Sequence, residues 1–168
     1  PPEVSTLATS GVTASGATLR GTVNARNDQT TVWFEYGATT GYGGEAMAEP
    51  AQVSGVADRA VQAVLVGLAP NATYHYRVVA ENATGRAYGQ DRTFTTGSVA
   101  PTVSTGEATE VTATGATLHA TVNGQGVSTA VTFEYGETPS YGRSIAGVPG
   151  TLTLAEDVGG ITAVLNGA

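Results

Sequence analysis

Residues 12–24 read VTASGATLRGTVN, and residues 111–123 read VTATGATLHATVN. The same offset of 99 carries FEYGATTGYG at 34–43 onto FEYGETPSYG at 133–142. One extra residue enters after Pro50 and Pro149, and AVLVG at 63–67 then matches AVLNG at 163–167. A period near 100 residues is longer than a solenoid repeat and has the size of one sandwich domain. The chain therefore reads as one module written twice in tandem.

Within the first copy, Thr18 to Val23 alternate apolar with polar or small residues, the period of a strand with one buried face. Val32, Phe34 and Tyr36 repeat the pattern, as do Tyr74, Tyr76, Val78 and Ala80. Gly, Asn, Asp and Pro punctuate these runs, and no window carries an apolar stripe of helical period over three turns. The spacing predicts strands at 4–12, 17–25, 31–37, 46–54, 59–66, 73–81 and 87–95. The class is all-β.

Composition removes several kinds of function. The 168 residues include 40% hydrophobic ones, enough for a core, and the 23 Gly and 7 Pro follow no collagen-like triplet. Cysteine is absent, which excludes disulfides, thiolate nucleophiles and cysteine metal sites. Every basic residue is Arg, so lysine Schiff-base chemistry and Lys–Asn isopeptide links are excluded too. A formal charge of -7 leaves no clustered cations to release counterions from a phosphate backbone, so no nucleic-acid partner is expected. The longest apolar runs, such as 61–68, are too short to span a bilayer, so no membrane insertion is expected.

The segment LVGLAPNATYHYRVVAENATG at 65–85, with FTT at 94–96, resembles the end of a fibronectin type III domain. In that family a Leu-x-Pro-x-x-x-Tyr turn leads into the sixth strand and its Tyr forms the tyrosine corner; Leu68, Pro70 and Tyr74 stand at those places. The FEYG and YG pieces resemble the variant common in secreted and surface proteins of bacteria and archaea. The Trp that vertebrate members carry on the second strand is missing, with Leu19 and Leu118 in that region. The resemblance implies two tandem immunoglobulin-like (fibronectin type III) β-sandwiches. A complete one would occupy 1–97, with a short linker at 98–101 that limits bending. A second at 102–168 would hold the first five strands and lack the last two.

In the first copy those last two strands are expected to pair with the third strand and cover its inner face. Two explanations of the shorter copy stand side by side: a boundary inside a longer repeat protein, or completion by strands of another molecule. The first copy offers no spare segment for such an exchange, since only Pro1 to Glu3 precede its first strand and Pro makes a poor strand donor.

Catalytic and metal-binding signals are weak. His75 and His119 fall on strands of different copies without Ser or Asp at a triad-like spacing. Gly41, Gly43 and Ala46 spell a G-x-G-x-x-A pattern, but no helix follows to hold a phosphate. Glu156 and Asp157 are the closest acidic pair, in a loop with too few ligands for calcium. No catalytic residue, metal site or cofactor is expected. Glu35 and Glu134 point away from the core and would serve solubility or edge protection. Trp33 is also assigned to the outer face, where His75, Arg77 and Val79 of the adjacent strand would join it and Arg77 would stack on its ring. That patch is the candidate interaction site, either a stiffening cross-strand pair, a contact to a neighbouring module, or a sugar platform. Asn71-Ala-Thr73 and Asn82-Ala-Thr84 are glycosylation sequons, expected in loops at opposite ends of the sandwich. No RGD tripeptide is present.

The expected function is that of a non-enzymatic extracellular or cell-surface structural protein, a modular piece of a longer array or filament. Its partners would be further copies of the module in cis, or neighbouring subunits in trans, with surface glycans as a further candidate. The alternative is a spacer or carbohydrate-binding accessory module of a secreted polysaccharide-degrading enzyme.

Overall fold

The computed structural model describes residues 1–152 and 158–166; Glu156 and Asp157 lie outside the described residues. Every regular element among the described residues is a strand, and the chain divides into two compact units, Pro1–Gly97 and Ser98–Ala168.

The first unit holds β1 (Glu3–Ser10), β2 (Gly16–Asn24), β3 (Thr30–Gly37), β4 (Gly44–Val53), β5 (Arg59–Val66), β6 (Thr73–Asn82), β7 (Gly85–Tyr88) and β8 (Arg92–Thr95). Antiparallel pairing runs β1-β2-β5-β4-β3-β6-β7, with β8 also on β6. β4 belongs to both halves of this sheet. Its first residues pair with β3, Glu49 pairs with Gln62 of β5, and pairing with β3 resumes at Gln52 and Val53. Pro50 stands at the crossing, where a residue without an N–H interrupts no ladder bond. The sheet thus folds over itself into two layers, and alternation places one face of each strand between them.

Leu19 and Val23 of β2, Val61, Ala63 and Leu65 of β5, Val32 and Phe34 of β3, and Tyr76, Val78 and Ala80 of β6 form one buried cluster. Removing each large side chain of this set from water is worth about 1.5–3 kcal/mol. Tyr76 also keeps its polar end satisfied, its hydroxyl donating to the Leu7 carbonyl at 2.7 Å.

The last strand expected from the sequence, 87–95, is broken. β7 and β8 both lie along β6, but the register moves by one residue between Tyr76↔Arg92 and Val79↔Tyr88. Gly89 sits in the break with its N–H on the Val78 carbonyl at 2.8 Å. A side chain there would collide with the Thr6 hydroxyl, and its Cβ would come within 2.8 Å of Val78 Cγ1. The break is a bulge whose consequence is a change of face: Phe94 points into the core while Tyr88, six residues earlier, points out.

The second unit holds β9 (Thr102–Thr105), β10 (Gly115–Asn123), β11 (Thr129–Tyr135), β12 (Arg143–Leu152) and β13 (Val158–Asn166), ordered β11-β12-β13-β10-β9. It reproduces the path of β1 to β5. Val148 pairs with Thr162 where Glu49 pairs with Gln62, and both β3–β4 and β11–β12 slip register at the same place. Val122, Val131, Phe133, Ile161 and Ala163 form its core at the positions of Val23, Val32, Phe34, Val61 and Ala63. Ala48 and Val61 of the first unit become Gly147 and Ile161, a methyl lost on one strand and gained on the next. The two units differ at one edge. β3 is flanked by β4 and β6, whereas β11 pairs with β12 alone among the described residues.

The shared FEYG…YG motif has a steric cause. A Cβ on Gly37 would run into the carbonyl of Tyr42, and one on Gly136 into that of Tyr141. Both tyrosines hold left-handed φ values, 56° and 51°, so the turn folds back directly over the glycine.

Candidate functional site

The outward face of β4-β3-β6-β7 gathers the polar and aromatic chemistry of the first unit. Cross-strand register sets Met47, Trp33, Val79 and Tyr88 in one row. Glu45, Glu35 and Arg77 make the next row, and Gly37 lies opposite His75. Trp33, His75, Arg77 and Val79 thus lie on one face of the sheet, where the sequence led us to expect an exposed patch.

Trp33 is only 9% exposed and Val79 is fully buried. The guanidinium of Arg86, from β7, lies 5.1 Å from the Trp33 ring centroid and also binds Glu81 at 2.8 Å. That carboxylate raises the pKa of Arg86. The Trp33 Nε1–H has no hydrogen-bond partner, the single buried side-chain polar atom of that kind among the described residues.

The expected stacking of Arg77 on Trp33 does not occur. Arg77 instead lies 4.7 Å from the Tyr42 ring centroid and 4.2 Å from that of Tyr88, and its Nε donates to Glu35 at 2.7 Å. The reason is the bulge. In an unbroken strand Tyr88 would share the inward face of Phe94; with one residue inserted, Tyr88 and Arg86 turn outward and compete for the two sites above β3 and β6. Glu35, expected to serve solubility or edge protection, is the carboxylate of a partly buried ion pair.

His75 is likewise engaged. Its Nδ1 lies 2.8 Å from Asp91 Oδ2, and Asp91 Oδ1 accepts the Tyr42 hydroxyl at 2.9 Å. One carboxylate in the β7–β8 break thus ties the β3–β4 turn to β6. Burial and, after it, the hydrogen bond to Asp91 raise the pKa of Tyr42. Beside this network lies a shallow depression of about 600 Å³ bounded by Glu35, Tyr42, Glu45 and Arg77. Among the described residues, no three His, Cys, Asp or Glu side chains lie together in a metal-ligating group.

No family model and no curated protein matches the sequence. Among solved structures, the chain is similar to the sensor domain of an anti-sigma factor from Pseudobacteroides cellulosolvens, in a long and a short form. Both are 22% identical over 59% of this chain, covering 92% and 97% of their own, with TM-scores of 0.41 and 0.42. It is also similar to the FN1–FN3 domains of chicken CNTN1, 15% identical over 99% of this chain and 56% of that one, with a TM-score of 0.44.

Leu68 and Pro70 stand in the turn before β6, and Tyr74 stands near the start of β6. Leu68 is buried, and the Tyr74 hydroxyl accepts the Ala69 N–H at 3.0 Å while its ring stacks on Phe94 at 5.6 Å. Of the two sequon residues, Asn71 is exposed in that turn at φ 51°. Asn82 ends β6 with its amide nitrogen directed to Thr30 Oγ1 at 3.2 Å and its oxygen accepting from the Thr84 hydroxyl at 2.6 Å. In the second unit, His119 meets the Thr109 hydroxyl at 2.7 Å, and Thr132 replaces Trp33.

Sequence reasoning missed Tyr42, Met47, Arg86, Tyr88 and Asp91. The signal was Gly89 inside an apparent strand, which marks a bulge and shifts the alternation upstream of it.

Proposed function

We propose that the chain is a modular segment of a non-enzymatic, extracellular or cell-surface structural protein, built of fibronectin type III-like sandwiches that act as spacers or packing units. The observation that carries this reading is the repetition itself. Strand path, the strand shared between layers, and the core positions all recur between the units. The groups that could perform chemistry on the outer face are committed to one another, His75 to Asp91, Arg77 to Glu35 and two rings, and Arg86 to Glu81 and Trp33. Such cross-strand pairs stiffen a sheet. A Cys-free, Lys-free, Thr-rich chain of net negative charge suits exposure outside the cell, with further modules as its partners. Electron microscopy of native material tests this: modular arrays or filaments are expected, and short isolated particles alone would refute the assembly.

A second reading, an accessory carbohydrate-binding module, draws on Met47 and Tyr88, which are 60% and 49% exposed beside Trp33. Glycan binding that is abolished in Tyr88→Ala, with the fold retained, would favour it over the structural role.

A further inference from the structure

The chain holds no Cys and a single Met, so the Met47 thioether is its only sulfur, and Trp33 is its only Trp. The two stand directly opposite each other on β4 and β3, on the outward side of the sheet. Cβ atoms of residues so opposed lie about 4.5–5.5 Å apart. Met47 is 60% exposed, whereas Trp33 is nine-tenths buried and its Nε1–H has no hydrogen-bond partner among the described residues. The Arg86 guanidinium beside the indole is a donor and cannot accept that proton. A thioether sulfur is only a weak acceptor. In the second unit Thr132 and Ala146 form the same cross-strand pair, so both the sulfur and the indole are missing there.

We infer that Met47 is a site of reversible oxidation by peroxides, and that its sulfoxide oxygen accepts the Trp33 Nε1–H. A sulfur lone pair attacks one peroxide oxygen, and the S–O bond forms as the O–O bond breaks. The departing hydroxide takes the proton of the transferred oxygen and leaves as water, so sulfur loses the two electrons that peroxide gains. Exposure opens the sulfur to the oxidant, and a sulfoxide reductase restores the thioether. The long, unbranched Met side chain lets the new oxygen turn toward the indole. Elsewhere a Met sulfoxide disrupts the apolar packing around it. Here it supplies a partner to a donor that burial has left unsatisfied, so the oxidised first unit is held at least as firmly as the reduced one. The chemistry is the same in a spacer and in an accessory module.

The test uses the whole chain labelled with nitrogen-15, in which Trp33 gives one indole N–H resonance. Dilute hydrogen peroxide should add one oxygen atom to the Met47 peptide, read by mass spectrometry. The indole resonance should then move downfield, its hydrogen exchange should slow by at least about tenfold, and methionine sulfoxide reductase should reverse both changes. Met47→Gln, whose side-chain carbonyl offers an acceptor at the same place, should shift the resonance in the same direction without peroxide. Met47→Leu should leave it unmoved with or without peroxide. An oxidised chain with unchanged indole shift and exchange would overturn the inference. So would a peroxide response that persists in Met47→Leu, or a first unit that melts at lower temperature once Met47 is oxidised.

Discussion

A single methyl group records the kinship of the two cores. Ala48 packs near Val61 in the first unit; Gly147 and Ile161 share the same total volume in the second, and a Cβ on Gly147 would strike Ile161 Cγ2. Gly147→Ala alone should therefore destabilise the second unit by about 1–3 kcal/mol, and adding Ile161→Val, which removes Cδ1 and keeps both γ carbons, should relieve the clash only through a change of the valine χ1 rotamer. Denaturant melts of the four variants in a cycle measure the coupling. At Tyr76, burial holds the phenol above its usual 10.0, as it does for Tyr42. The folded state then binds the proton more tightly than the unfolded state. The associated stability is complete below pH 10 and is lost as pH rises through the raised values. The first unit should melt at lower temperature above pH 10, and Tyr76→Phe should flatten that decline. At neutral pH the same variant should lose about 1 kcal/mol with the Leu7 hydrogen bond.

At the scale of elements, the alternation that predicted β2, β3, β5 and β6 survived because both layers bury one face of each strand. A one-residue error there would turn the whole apolar set to solvent. The same rule failed at 87–95. Nothing in Ala87 to Thr95 breaks the strand except Gly89 and the polar pair after it, and the extra residue exchanged the faces of Tyr88 and Arg86. The cover of Trp33 was not legible, because the bulge at Gly89 is what turns Arg86 and Tyr88 outward. The arrangement makes Arg77 the keystone between Tyr42, Tyr88 and Glu35. Arg77→Met should cost about 1–2 kcal/mol in thermal or chemical melts, and Arg77→Lys should recover little of it, since an ammonium lacks the planar fork that meets both rings and a carboxylate.

For the molecule as a whole, the sequence repeats with an offset of 99 residues, and β9 to β13 follow the strand order of β1 to β5. What the repeat did not show is how differently the third strand of each unit is held. Backbone groups of β3 are paired on both sides, whereas those of β11 face one partner strand among the described residues. Amide hydrogen exchange of the intact chain, read strand by strand, decides whether one module plan underlies both halves. Slow exchange is expected in β2 with β5 and equally in β10 with β13, and Thr30–Gly37 should outlast Thr129–Tyr135 by at least about tenfold. Uniformly fast exchange across β10 and β13 would show that the second unit is not built on the plan of the first, and protection of β11 equal to that of β3 would contradict its being paired on one side only.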